Sequence, residues 1–318
     1  MDFTQELKEQ AEYVDGLLSK FMPKEKTYQK TVIEAMGYTI FAGGKRIRPI
    51  LMKAVFDLLG GEGECIEPFM AAIEMIHTYS LVHDDLPALD NDDYRRGRKT
   101  AHIVYGEAMA ILAGDGLLNY AYETAARAFF MEDVSEPDLE KKPEKIQIAY
   151  LKDRLEHKKN LEKAMQLLTA KPGIYGMIGG QVADVELTGT QLNEGQLTYI
   201  YENKTGALIE ASMLIGAALA NASEMQIENI RKIAYNIGMA FQIQDDILDE
   251  TATFEELGKP IHSDEKNDKV TYVTLHGIEA SKQEVEKLSK EAVDILDSFD
   301  GDTEFLKNLI NYLIHREK

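Results

Sequence analysis

Apolar residues recur every three to four positions along almost the whole chain, the spacing of amphipathic helices. The pattern predicts an opening helix over residues 4–20 and a second over 27–42 that stops at Gly43-Gly44. A third is expected from near Pro49 to the Gly60-Gly61-Glu62-Gly63 stretch. Pro68 then opens a long apolar helix through Asp85, and Pro87 must end or bend it. Further helices are expected over 105–131, 165–186, 194–220, 223–250 and 303–316. Residues 270–274 could be extended, but no repeated strand pattern accompanies them. The fold class is therefore read as all-α, a large helical bundle.

One segment changes in character. From Glu132 to Lys163, 17 of 32 residues are charged and Pro137 and Pro143 interrupt its start, yet Ile148, Leu151, Leu155 and Leu161 keep a helical stripe. This reads as a charged peripheral excursion rather than a domain boundary, so 1–318 is expected to be a single domain, near the upper size for one core. A formal charge of −20 argues against nucleic acid or an anionic membrane as the main partner. An anionic small substrate would then need bound cations and locally gathered Lys and Arg. Cys65 is the one cysteine, so no intramolecular disulfide can form and a cytoplasmic address is expected. The first residues show no secretion signal, and the longest apolar run, Ala207 to Ala220, is 14 residues and contains Glu210, too short for a membrane span.

Two aspartate clusters carry the candidate chemistry: His83-Asp84-Asp85-Leu86-Pro87-Ala88-Leu89-Asp90 and Gln244-Asp245-Asp246-Ile247-Leu248-Asp249. Carboxylates gathered this way suit Mg²⁺, a hard cation that takes oxygen ligands. His77, Ser80 and Asp84 share one helical stripe, whereas Asp90 would face elsewhere on a straight helix. Pro87 bends the chain and can return Asp90 to Asp84. Alone, this cluster is equally well a solvated acidic helix end. In the second, Asp245 and Asp249 are neighbours on one face, with Gln242 on the same side. Like charges at that spacing call for a cation unless both face water, and flanking Phe241, Ile243, Ile247 and Leu248 argue against a fully solvated helix.

Cations gather at Gly43-Gly44-Lys45-Arg46-Ile47-Arg48-Pro49, a fitting cradle for phosphate oxygens at a helix junction. More follow at Arg95-Arg96-Gly97-Arg98-Lys99, at Lys204-Thr205-Gly206, and at Lys259 and Lys269. Singly, each reads as ordinary surface charge; the alternation of acidic and basic blocks does not.

Taken in order, GGKRIRP (43–49), HTYSLVHDDLPALDNDDYRRGR (77–98), AILAGDGLL (110–118), GMIGGQ (176–181), KTGALI (204–209), FQIQDDILD (241–249) and LGKP (257–260) resemble the trans-isoprenyl diphosphate synthase family, near its bacterial farnesyl diphosphate synthases. The resemblance implies the isoprenoid-synthase helical bundle with a central cavity, a homodimer, and Mg²⁺, three ions when an allylic diphosphate is bound. It implies that Lys45, Arg48, His77 and Arg96 hold the diphosphate of isopentenyl diphosphate. Asp84, Asp90 and Asp245, supported by Asp85 and Asp249, would bind Mg²⁺ bridging the allylic diphosphate. Arg95, Lys204 and Lys259 would contact that diphosphate directly, Lys269 adding to the substrate-binding charge, and Thr205 and Gln242 would line the reacting centre. Tyr79 and Ser80, five and four before the first aspartate, would form the floor that limits product length, a tyrosine there resembling enzymes that stop at fifteen carbons.

The chain departs from the family pattern at Lys99, Lys171-Pro172, Glu250 to Thr253 and Val273, without losing a metal ligand or diphosphate contact. Rival readings are a synthase with a twenty-carbon product, a non-catalytic subunit of a heteromeric synthase, an HD-type phosphohydrolase and a terpene cyclase. Retention of both aspartate clusters opposes the second. The phosphohydrolase leaves the cations unexplained, and the cyclase has no use for a second basic cradle.

Overall fold

The structure, a computed structural model, describes residues 2–24, 27–131, 139–251 and 270–314. In chain order the helices are α1 (Phe3–Phe21), α2 (Lys30–Ile40), α3 (Ile47–Leu58), α4 (Glu67–Asp84), α5 (Ala101–Tyr105), α6 (Glu107–Ala126), α7 (Ala128–Met131), α8 (Glu144–Ala170), α9 (Met177–Leu187), α10 (Glu194–Ile200), α11 (Ala207–Leu219) and α12 (Glu224–Thr251). After the segment not described come α13 (Tyr272–His276), α14 (Ile278–Leu296) and α15 (Glu304–Ile314). A π-helical turn, Tyr201–Gly206, joins α10 to α11, and a two-stranded ribbon, β1 (Tyr94–Arg95) and β2 (Arg98–Lys99), follows α4.

Helices α4 and α11 decide the architecture because nearly every side chain on them is buried. A helix apolar all round is stable only when other helices surround it. Around α4 pack α1, α2, α3 and α6, while α11 lies against α3, α8 and α12. Glu210, the one charge in α11, is met by Lys171 Nζ at 2.5 Å and Arg231 Nε at 3.5 Å. A second, smaller core joins Leu197, Ile200, Tyr201, Ile243, Ile247, Val273 and Leu288, tying α10, the π turn, α13 and α14 to the end of α12.

The all-α reading holds, with four corrections. The helix expected over 165–186 is two, because the chain turns at Pro172-Gly173, where Gly173 N–H donates to Ala170 O and Met177 N–H to Lys171 O. Residues 272–274 are helical rather than extended: Thr271, itself in extended backbone, caps α13, its hydroxyl accepting from Thr274 N–H. Helix α14 had no counterpart in the sequence reading. The two-residue loop Arg96-Gly97, both residues at positive φ, closes a hairpin that helical periodicity cannot reveal. In the charged excursion, 144–163 form the first part of α8, and burial begins only at Asn160 and Leu161.

Candidate active site

The first acidic cluster is built by the end of α4. The last helical bond runs from Asp85 N–H to Leu81 O, and Leu86 N–H, Leu89 N–H and Asn91 N–H turn back to His83 O and Leu86 O. The same turn lets Asp90 N–H donate to Asp84 O at 2.9 Å, so Pro87 does return Asp90 to Asp84. Burial pushes the Asp84 carboxyl up, Lys204 opposes this, and Asp90 and Asp184 add to it. Asp85 is buried and pushed up to about 6 against the pull of Arg95, whose Nε and second guanidinium nitrogen both lie 2.6 Å from Asp85 Oδ1. A carboxylate crowded by like charge and taken from water gains from a cation, so the oxygens of Asp84 and Asp90 fit Mg²⁺. Among the described residues no three His, Cys, Asp or Glu side chains form a preorganised metal set.

In the second cluster the spacing separates two roles. Asp245 and Asp249 share the face carrying Gln242, with Asp249 itself buried. Asp246 turns instead into the smaller core, where its carboxylate accepts from the Tyr201 hydroxyl and, at 2.8 Å, from Tyr272 N–H. Asp246 therefore ties α12 to the π turn and to α13.

Helix α9 and the π turn link the two clusters. Gln181 Nε2 donates to Asp84 Oδ1 at 2.7 Å, and one turn along α9 Asp184 Oδ2 accepts from Lys204 Nζ at 2.6 Å. The neighbour of Lys204, Thr205, donates to Gln242 Oε1 at 2.8 Å, one helical turn before Asp245. A π turn widens the helix and redirects such side chains. This close approach needs Gly180, where a Cβ would lie 2.2 Å from Lys204 N. Lys204, Thr205, Gln242, Asp184 and Asp246 line one cavity of about 100 Å³.

The cationic cradle is assembled from three segments. Arg48 lies in the first turn of α3, and burial pulls its guanidinium down to about 10, with Arg96 contributing and Glu74 opposing. Its Nε is buried without a hydrogen-bond partner, an orphaned donor suited to an anion. His77 is held well below its ordinary range by burial and by Arg48, Arg96, Arg95 and Arg46. The Arg96 guanidinium donates to Gly43 O and lies over Gly44, where a Cβ would meet it at 2.7 Å. Lys45 Nζ sits 5.4 Å from the Tyr312 ring centre. Arg46 does not join them: at φ 52° it points inward, paired with Asp15 and Glu74 at 2.8 Å each. The 43–49 cradle thus presents fewer cations than its sequence offers.

Tyr79 is buried in the large core with its ring edge-on to His83, centroids 5.6 Å apart. Burial, Tyr122 and Asp84 push its hydroxyl up to about 12. Ser80 donates to His77 O at 2.9 Å, so its hydroxyl is satisfied within α4. Lys259 and Lys269 lie outside the described residues. Sequence reasoning gave no role to Gln181, Asp184 or Glu74. The first two stand three apart in the otherwise apolar run 177–185, a spacing that could have marked them.

An all-helical fold that sets an anion cradle beside two linked acidic helix ends defines a protein that handles a phosphorylated small molecule through cations. Comparison with known proteins makes this specific. Residues 29–312 match the model of the polyprenyl synthetase family. The chain is 40% identical over 304 residues to the farnesyl diphosphate synthase of Micrococcus luteus, covering 96% of this chain and 94% of that protein. It is equally 40% identical over 320 residues to the heterodimeric geranylgeranyl pyrophosphate synthase large subunit 1 of Arabidopsis thaliana, with 99% and 80% covered. The geranyltransferase of Helicobacter pylori, solved with magnesium and isoprenyl diphosphate, superposes with a TM-score of 0.77 at 29% identity, covering 99% of this chain and 97% of that one. The chain belongs to the polyprenyl synthetase family. It is a trans-prenyltransferase. Among the described residues no helix is long and apolar enough to cross a membrane.

Proposed function

We propose that this chain condenses isopentenyl diphosphate with dimethylallyl and then geranyl diphosphate, releasing farnesyl diphosphate. The observation that carries this reading is the division of the site into two charge environments. Arg48, Arg96 and His77, with an orphaned buried donor on Arg48, suit one diphosphate. The acidic ends of α4 and α12, joined through Gln181, Asp184, Lys204, Thr205 and Gln242, suit a second held through cations. A transferase joining two diphosphate esters needs both.

The residues divide the work accordingly. Arg95 and Lys204 donate to the allylic diphosphate as its C–O bond breaks and the leaving group takes the electron pair. Asp84, Asp90 and Asp245 would hold magnesium, three ions in the loaded site, and the ions would supply positive charge to that leaving group. Apolar side chains around Tyr79 keep water from the allylic cation. The isopentenyl double bond attacks the cation, and the proton then lost goes to the released diphosphate. Thr205 and Gln242 line the reacting carbons, and no side-chain nucleophile is required. Asp85 and Asp249 support the metal ligands, and Lys45, Lys259 and Lys269 complete the substrate contacts.

Tyr79, buried in the large core five residues before Asp84, is the residue whose bulk stops growth at fifteen carbons in this reading. A twenty-carbon product is the second reading, favoured by equal identity to a geranylgeranyl pyrophosphate synthase subunit. We also propose one domain over 1–318, a cytoplasmic location and a homodimer, the last supported by half-exposed Ile111 and Leu112 on α6 and Leu151 and Leu155 on α8. Incubating the purified chain with isopentenyl diphosphate and each allylic primer, then sizing the dephosphorylated alcohols, tests activity and length together. A C15 alcohol is expected. No product from the chain alone would favour a subunit that needs a partner, and light scattering on the eluted protein tests the homodimer separately.

A further inference from the structure

One face of α9 reaches both the first aspartate cluster and Lys204. Gln181 and Asp184, three residues apart, project on the same side, one bonded to Asp84 and the other to Lys204. The Lys204–Asp184 pair is well shielded, with side-chain exposures of 26% and 17%. The same helix fixes the lysine's backbone, because Gly180 admits Lys204 N to a distance that any Cβ would forbid. Backbone and ammonium are thus both anchored on α9, at Gly180 and at Asp184 one turn later. A lysine is a point charge on a flexible stem with three donors, so where its charge sits depends on what holds it.

We propose that Asp184 is a positioning residue for prenyl transfer. Its carboxylate engages one N–H of Lys204 and so holds the ammonium near Asp84 of the first aspartate cluster, leaving the other donors to meet the departing diphosphate. The inference rests on the prenyltransferase reading of this site. It assigns Asp184 an action through Lys204, not through the substrate itself. Asp184 also lies close enough to Asp84 to act on it electrostatically, with a sign opposite to that of Lys204. Direct action on the bound cations is therefore the rival that a test must separate.

A double-mutant cycle separates them. Asp184→Asn, Asp184→Glu, Lys204→Ala and the Asp184→Asn/Lys204→Ala pair are prepared in the full chain and checked by circular dichroism. In the Lys204 background Asp184→Asn is expected to lower kcat/KM for dimethylallyl diphosphate roughly 10- to 100-fold, the effect of a lost charge-assisted contact. KM for isopentenyl diphosphate should stay within about twofold, and Asp184→Glu should recover part of the loss. In the Lys204→Ala background, Asp184→Asn should change kcat/KM by less than about twofold. Losses that multiply independently, or no loss from Asp184→Asn, would overturn the proposal. The same cycle is read by calorimetric binding of inorganic diphosphate with magnesium, which needs no turnover. An inactive wild-type chain would thus count against the prenyltransferase reading, while the coupling of Asp184 to Lys204 is still decided.

Discussion

Asp90 N–H donates to Asp84 O at 2.9 Å, closing a turn that sets two carboxylates six residues apart beside each other at the end of a helix. A straight helix would have pointed them to different faces. The turn leaves Asp84 buried against like charge, with its carboxyl pushed up. Such a site is built to be neutralised by something the chain lacks.

The aspartates should differ sharply under substitution. Asp84→Ala and Asp245→Ala are each expected to lower kcat by about 10³-fold or more while the circular dichroism spectrum is retained, since each removes charge stabilisation of the leaving group. Asp246→Asn should act on stability instead. It weakens the acceptor for Tyr201 and Tyr272 N–H, at a cost of about 1.5–3 kcal/mol for a buried charged hydrogen bond. Thermal melts with steady-state rates check both. Near-normal turnover in either alanine variant would contradict the ligand assignment.

Two arginines two residues apart should also part company. Arg46 is buried with Glu74, so Arg46→Ala leaves an uncompensated carboxylate and should destabilise by about 3–5 kcal/mol. Arg48→Ala removes an orphaned donor and a guanidinium already pulled down to about 10. Its stability cost should be small, and its signature a KM for isopentenyl diphosphate raised about 10-fold or more. Urea titration and initial rates distinguish them.

His77 gives a pH signature. Burial and four guanidinium groups hold it well below its usual 6.5, so the folded chain refuses a proton that the unfolded chain accepts. Its contribution is therefore fully favourable above pH 6.5 and is lost as pH falls below that value. His77→Gln should flatten the loss, the two stability curves diverging by at most about 1.4 kcal/mol per pH unit below 6.5. Parallel curves from denaturant titrations between neutral and acid pH would show that His77 is not the group responsible.

Tyr79 supplies a test of length. Tyr79→Met replaces a rigid ring by a flexible chain and should move products beyond fifteen carbons, seen by chromatography of the dephosphorylated alcohols. An unchanged distribution would locate the floor elsewhere.

Much of this is legible in the sequence. Long helices announce themselves by period, the Pro87 bend implied the meeting of Asp84 and Asp90, and the four-residue spacing of Asp245 and Asp249 fixed their common face. Other features have no local signature. The π turn at Tyr201–Gly206 packs closely against α9 at Gly180, a contact distant in sequence. The inward turn of Arg46 depends on Asp15 and Glu74, distant in sequence. Asp184 and Gln181 looked like polar interruptions of an apolar helix until Lys204 and Asp84 were found against them. Spacing reports which residues share a face; it does not report what lies opposite.

The central claim is that the carboxylates of α4 and α12 grip one allylic diphosphate through shared magnesium ions. A crystal structure of the chain with magnesium and a non-ionisable allylic diphosphate analogue tests it directly. Asp84, Asp90 and Asp245 oxygens on ions that also hold diphosphate oxygens, with Lys204 donating to the same group, is the expected result. A diphosphate bound away from these aspartates, or clusters too far apart to share it, would contradict the account.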